Sequence, residues 1–112
     1  MVLLNKGKEI IAQAISEKIV KAQSGEGTTA PLPTDTTLEA PISSSLKSTA
    51  NTVSNNICTF DYILLVTDAN GYNISELGLS TDTPELASRY VLTPLAKSNN
   101  LEIKFKIQYL VR

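Results

Sequence analysis

Asn73-Ile74-Ser75-Glu76-Leu77-Gly78-Leu79 closes a segment, residues 57–79, that alternates like sheet. Upstream of it, Cys58, Phe60, Tyr62, Leu64 and Val66 alternate with Thr59, Asp61, Ile63, Leu65 and Thr67, the period-two pattern of a strand. Asn70-Gly71 lies between the two halves and suits a tight type I′ turn, because both residues tolerate positive φ. A two-residue hairpin there would place Leu64 opposite Leu77 and Tyr62 opposite Leu79 on one face. Leu65 would face Glu76, and Ile63 would face Gly78, on the other. Gly78 then marks a bulge or a close backbone approach. Glu76 is the one residue of the stretch with no evident packing purpose, and a hydrogen bond from it to a neighbouring strand or loop is expected. Glu76→Ala should then destabilise the domain more than Asp82→Ala.

Outward from this hairpin, residues 5–18 read as a helix with Asn5 as its N-cap. Ile10, Ile11, Ala14, Ile15 and Ile19 form its apolar stripe, directed at a sheet or at another subunit. Residues 19–24 fit either a continuation of the helix or a short strand. Residues 25–45 hold Gly25, Gly27, Pro31, Pro33 and Pro41 among many Ser and Thr. They read as an extended loop or arm with Leu32, Leu38 and Ile42 as anchors; a loop this long is usually functional, partner-ordered or disordered, and this one is expected as an ordered arm lying on a neighbour. One edge strand is expected over residues 46–56, ending at the Ser54-Asn55-Asn56 turn. Another runs from Leu86 to Leu92, with a loop from Pro94 to Asn100. In the last strand Leu101, Ile103, Phe105, Ile107, Tyr109 and Val111 face one way, and Glu102, Lys104, Lys106 and Gln108 the other. The fold expected is mainly β: one domain over residues 1–112, an antiparallel β-sandwich of jelly-roll-like type with one N-terminal α-helix, its strands filling residues 46–112.

Composition narrows the chemistry. The 112 residues carry a net charge of −1, one cysteine and no histidine. No intrachain disulfide is possible, and the commonest general base and metal ligand is missing. No catalytic residue, cofactor or metal site is expected, and the chain reads as a non-enzyme. Cys58 falls on the apolar face and reads as a buried structural thiol. Asp61 and Glu76 share a face of the proposed hairpin and would make a carboxylate pair for acid–base chemistry; two solvated surface acids is the simpler reading. Gly25-Glu26-Gly27 is a turn rather than a phosphate loop, and Asn73-Ile74-Ser75 is a chance glycosylation sequon. Lys104 and Lys106 make a small basic stripe suited to an acidic partner subunit, whereas the slightly acidic total argues against nucleic acid. Neither a signal peptide nor an apolar run long enough to span a membrane is read in the chain. The candidate interface residues are Val2, Leu3, Leu4, Leu32, Leu38, Ile42, Lys104 and Lys106.

The order of features resembles a family of small virion proteins of tailed phages, found among tail-fibre and head-decoration components. The residues that carry the likeness are Gly27-Thr28-Thr29-Ala30-Pro31, Asp35-Thr36-Thr37-Leu38, Ile74 to Leu79, Leu86-Ala87-Ser88-Arg89 and the alternating strand from Leu101 to Val111. They cover most of the chain, though each motif is short. The resemblance implies a non-enzymatic β-structured part of the particle. It would be assembled in the host cytoplasm as a symmetric homo-oligomer, a trimer or hexamer, in contact with other virion proteins and with neither nucleic acid nor membrane. Two departures matter. Ser80-Thr81 stand where an aromatic and an acidic residue often follow the Glu-Leu-Gly-Leu strand, and no receptor-binding domain is appended after Arg112. Both favour a decoration, adaptor or connector role. The alternative is a receptor- or carbohydrate-binding module of a phage appendage, which clustered exposed aromatics would favour.

Overall fold

A computed structural model describes all residues, Met1–Arg112. The chain forms helix α1 (Asn5–Lys18), then strands β1 (Ile19–Gly25), β2 (Lys47–Ser48), β3 (Ala50–Ser54), β4 (Ile57–Leu64), β5 (Asn73–Thr81), β6 (Leu86–Ala96) and β7 (Ile103–Leu110). The strands make two antiparallel sheets, in the orders β2-β1-β5-β6 and β3-β4-β7. The result is a mainly β, sandwich-like architecture with one N-terminal helix, as the periodicities imply.

Helix α1 runs over the predicted residues, but Leu4 rather than Asn5 is its N-cap, and no side chain caps it. Its last residue is followed directly by β1, which settles residues 19–24 as strand. Asn51 makes that abrupt change possible. Its Nδ2 donates to the Ser16 carbonyl at 2.9 Å and to the Ile19 carbonyl at 2.7 Å, occupying acceptors that a helix C-terminus leaves open. The helix packs against β3 and β4, but not through the whole predicted stripe. Ala12 and Ile19 are buried and Ile15 is half-buried, whereas Ile10, Ile11 and Ala14 face solvent. The stripe of five therefore splits between two faces.

The largest correction concerns the central hairpin. β4 pairs with β3 and β7, and β5 pairs with β1 and β6, so the two halves of segment 57–79 lie in different sheets. Leu64 pairs with Ile103 and Leu77 with Ser24 and Tyr90. Asp68 explains why no tight turn forms at Asn70-Gly71. Its Oδ2 accepts from the Leu65 N–H at 2.8 Å, and its own N–H donates to the Leu65 carbonyl at 2.9 Å. Those bonds turn the chain immediately after β4, five residues before Asn70, and send it to the other sheet. The same carboxylate is ion-paired with Lys47, and the Lys47 bond holds it below the usual carboxylate range. Gly71 keeps a positive φ of 87° within this crossing loop. Lys97, 2% exposed, fixes the loop by donating to Asn70 Oδ1 and the Ser98 carbonyl, each at 2.9 Å.

A tight hairpin does occur at Ser54-Asn55-Asn56, where Asn55 takes a φ of 54° and Ser54 pairs with Ile57. The edge strand expected over residues 46–56 is two strands, β2 and β3, one at the edge of each sheet. β6 continues past Leu92 to Ala96, through the region read as loop; Pro94 is accommodated because β6 is an edge strand. β7 alternates as predicted, with Ile107 buried and Lys104, Lys106 and Gln108 exposed.

Between the sheets the core contains Phe60, Tyr62, Leu64, Ile74, Leu77, Leu79 and Cys58. Phe60 meets Tyr109 edge-on with ring centroids 5.4 Å apart, and Tyr62 stacks on Phe105 at 5.9 Å, both geometries that aromatic pairs favour. Burial pushes the Cys58 thiol above its ordinary pKa, as expected of a structural cysteine.

Candidate functional site: a loop clamped on Glu76

Strand β5 is buried on both faces from Ile74 to Ser80. One face meets the core through Ile74, Leu77 and Leu79. The other is covered by the segment after β1, residues 26–42, which folds back across this chain's own sheet. Glu76 anchors it. The side chain is fully buried and accepts four hydrogen bonds: Oε2 from the Gly27 N–H and the Ala40 N–H, each at 2.8 Å, and Oε1 from the Glu39 N–H at 3.0 Å and Arg89 Nε at 2.9 Å. Burial by itself would raise this carboxyl; the bonds from Ala40, Arg89, Glu39 and Gly27 outweigh it and hold the pKa below its ordinary value. Glu76 is therefore an ionised carboxylate at neutral pH.

Arg89 extends the cluster. Its side chain is 5% exposed, and its Nη1 reaches Asp35 Oδ2 at 3.3 Å. Asp35 in turn accepts from the Leu32 N–H at 2.9 Å, and Glu39 Oε1 accepts from the Thr28 N–H at 2.9 Å. Ser75 donates to the Gly27 carbonyl at 2.7 Å. The backbone must come very close to permit this. A Cβ at Gly25 or at Gly27 would stand 2.5 Å from Glu76 Oε2, and one at Gly78 would stand 2.7 Å from Leu86 Cδ1 and 2.9 Å from Leu38 Cδ2. The Gly25-x-Gly27 spacing is thus a pair of approach points to a carboxylate. The close approach expected at Gly78 is the seat of Leu38.

A second set of bonds ends the loop. Ser45 Oγ accepts from the Ser24 N–H at 3.0 Å and lies 2.6 Å from the Ile42 carbonyl. The Tyr62 hydroxyl crosses the core to donate to the Ser45 carbonyl at 2.6 Å. Burial raises the Tyr62 pKa, keeping it a donor.

Four of the stretches singled out in the sequence therefore converge: the Gly27–Pro31 loop, Asp35–Leu38, Ile74–Leu79 and Leu86–Arg89. The expected hydrogen bond from Glu76 to a loop is present, fourfold. Two expectations are corrected. Glu76 is not a solvated acid, and it lies in the sheet opposite Asp61, so the two do not form a carboxylate pair. Among the candidate interface residues, Leu38 and Ile42 are 5% and 3% exposed; this chain's own sheet covers them, so they present nothing to a partner. Val2, Leu3, Leu4 and Leu32 are exposed. Lys104 and Lys106 are exposed along β7, with Lys104 Nζ 3.8 Å from Asp61 Oδ2. Arg89, the two glycines and the Ser24–Ser45–Tyr62 link were not distinguished as partners by the sequence; the Leu-Ala-x-Arg stretch was the only trace of Arg89.

In chemical terms the cluster holds a loop. The carboxylate's acceptor sites are taken by four donors, and it has no solvent access through which to exchange a proton with a substrate. No three Cys, Asp or Glu side chains gather as metal ligands, and no helix is long and apolar enough to cross a membrane. The class defined by fold and site is a small two-sheet β domain with a carboxylate-clamped surface loop. No family model, curated protein or solved structure matches the chain.

Proposed function

We propose that the protein is a structural component of a tailed-virus particle, of decoration, adaptor or connector type, which works by self-assembly and by contact with other virion proteins. The order of motifs along the chain supplies the particle. The observation that carries the assembly part is the open side of the sandwich. β6 and β7 are the terminal strands of their sheets, each hydrogen-bonded on one side only. Between them lies a groove of about 370 Å³ lined by Leu77, Tyr90, Leu92, Phe105 and Ile107, with Lys106 and Gln108 at its rim. Long unpaired edges beside an apolar groove are templates for pairing with another chain. The clamped 26–42 segment adds a fixed surface that exposes Leu32.

Size-exclusion chromatography with light scattering, together with pull-down from assembled particles, tests this reading. A defined oligomer or retention by a virion protein is expected. A monodisperse monomer that captures no virion protein refutes it. Of the six aromatic residues only Tyr72 is exposed, so nothing here resembles the aromatic platform a carbohydrate module would present.

A further inference from the structure

We propose that the cleft between strand β6 and residues 31–33 binds an extended peptide segment of neutral or basic character, whose main chain pairs with the open edge of β6 and presents a carbonyl oxygen to Arg89. This deepens the assembly reading by giving one neighbour its chemistry and its place on the domain. The cleft has a volume of about 410 Å³. Pro31, Leu32 and Pro33 line one side, Leu86 and Ala87 the other, and Arg89 lines it with them. β6 ends its sheet, and no backbone hydrogen bond from outside the sheet reaches residues 86–96. Its outer edge therefore keeps free main-chain donors and acceptors along the cleft, the feature to which an added strand binds.

Arg89 distinguishes this cleft from an ordinary surface gap. Its side chain is 5% exposed, and a guanidinium carries five N–H donors. Nε donates to Glu76 and Nη1 to Asp35, but Nη2 is buried with no acceptor. Buried donors are nearly always paired, and an unpaired one is destabilising. An acceptor brought by a partner removes that defect on binding.

The surroundings decide the charge of the missing acceptor. Glu76 and Asp35 already set two carboxylates against one guanidinium, and Glu39 lines a neighbouring hollow together with Asp35 and Arg89. A further anion would add to a surplus of negative charge. A main-chain carbonyl adds none, and a lysine or arginine next to it would lie near Asp35 and Glu39. Access follows from the same contacts. One hydrogen bond ties residues 31–35 to β6, the 3.3 Å contact from Arg89 Nη1 to Asp35, and it is longer than any bond that Glu76 accepts. A small outward shift of residues 31–33 opens Nη2 to the cleft and leaves the Glu76 bonds to Gly27, Glu39 and Ala40 in place.

Nuclear magnetic resonance on the full chain tests the proposal, with the capped hexapeptide acetyl-Thr-Val-Lys-Val-Thr-Val-amide as probe. The chain has two arginines, Arg89 and Arg112, so arginine-labelled protein gives two sets of guanidinium signals. Titration should move the Arg89 Nη signals and the amides of residues 31–35 and 86–90, with Arg112 unmoved. Glutamate in place of the peptide's lysine should weaken binding at least about tenfold. N-methylating every second residue of the peptide should abolish binding in one of the two phases, the one that faces β6. Leu32 is 60% exposed and its side chain takes no part in the clamp, so Leu32→Asp should lose the peptide at an unchanged melting temperature. Asp35→Asn should bring the lysine and glutamate peptides closer to equal affinity. No binding by the lysine peptide, or binding that leaves the Arg89 signals in place, overturns the proposal. Undiminished binding by both N-methylated peptides overturns the strand pairing, and equal binding by the glutamate peptide to the parent chain overturns the charge preference. If the peptide fails while virion proteins still retain the chain, the cleft falls and the assembly reading stands; a chain that binds the peptide but captures no virion protein gives the reverse.

Discussion

Removing the Glu76 carboxylate is the sharpest perturbation this molecule offers. Glu76→Gln keeps the side chain's size but replaces one acceptor oxygen with an amide that points two hydrogens at existing donors. Whichever oxygen is lost faces two of the four donors, Gly27 and Ala40 N–H on one side or Glu39 N–H and Arg89 Nε on the other. Either way Arg89 keeps only Asp35, at 3.3 Å, as a charged partner, while its side chain is 5% exposed. Breaking a buried ion pair by removing one partner costs about 3–5 kcal/mol, and hydrogen bonds to a charged acceptor contribute about 1.5–3 kcal/mol each. Because these overlap, we take a loss of about 4 kcal/mol for Glu76→Gln and at least as much for Glu76→Ala. In a domain of this size each kcal/mol moves the melting temperature by roughly 3–6 °C, so a fall of about 12–24 °C is expected. Asp82→Ala, at an exposed turn, should stay within about 0.5 kcal/mol of the parent. The pH dependence has a definite sign. Glu76 has a folded-state pKa below its ordinary 4.5, so its contribution is complete above about pH 4.5 and is lost as pH falls through the lower folded value. The stability gap between the parent and Glu76→Gln, measured by denaturant unfolding, should be widest at neutral pH and narrow only in acid. Equal melting temperatures for Glu76→Ala and Asp82→Ala, or a gap that does not depend on pH, would refute the reasoning.

Three further outcomes follow from single contacts. Gly27→Ala should lower stability by about 1–3 kcal/mol, since its Cβ would stand 2.5 Å from Glu76 Oε2; in a Glu76→Ala background most of that cost should vanish, and a double-mutant cycle that finds the two additive would count against the clamp. Lys97→Met preserves the stem but removes two bonds from a buried ammonium, so hydrogen exchange should quicken selectively across residues 65–72, with a global loss of about 1–3 kcal/mol; unchanged exchange there would show that Lys97 does not fix the loop. Cys58 is fully buried with its thiol pushed up by burial, so a thiol reagent should label it only as fast as the domain opens, and labelling at the rate of a free thiol under native conditions would contradict the core packing.

How much of this was legible depends on the range of the interaction involved. Short-period patterns transferred well. The alternation of β7, the helix over residues 5–18 and the buried side of β4 depend on neighbours a few residues away. Pairing did not transfer, because Asn70-Gly71 is a good turn pair in a place where Asp68 has already turned the chain. A local propensity lost to a local hydrogen bond that sequence spacing does not weigh. The helix stripe was misread for a related reason. Its five apolar residues fit one stripe loosely, but only those in phase with Ala12 touch the sheet, and alanine carries little weight in a hydrophobic pattern. The clamp was legible in part. Glu76 stood out because an acid among Leu77, Gly78 and Leu79 has no packing purpose. Its partners at residues 27, 39, 40 and 89 lie up to 49 positions away in sequence, and backbone donors leave no mark on residue identity.

A buried carboxylate is an unusual way to fasten a loop, and the geometry gives a reason for it. An apolar pair at positions 76 and 89 would bury comparable area and avoid desolvating two charges, and replacing a whole buried ion pair in that way is often neutral or stabilising. It would, however, grip any apolar part of a Ser/Thr/Pro-rich segment equally well. Glu76 instead requires three particular backbone N–H groups, at Gly27, Glu39 and Ala40, to point at it together, and it draws Arg89 into the same cluster. Only one path of the chain between β1 and the Ser43–Ser45 turn satisfies that requirement. Gly25 and Gly27 allow the path to pass close to the carboxylate, and Leu38 then drops onto Gly78. The span from Thr28 to Thr37 is thereby presented in one conformation, with Asp35 tied to Arg89 and Leu32 left outside. What the charge contributes is less extra stability than a single arrangement of an otherwise adaptable segment. The assembly role proposed above would draw on that kind of uniformity, because it calls for the same surface in every copy.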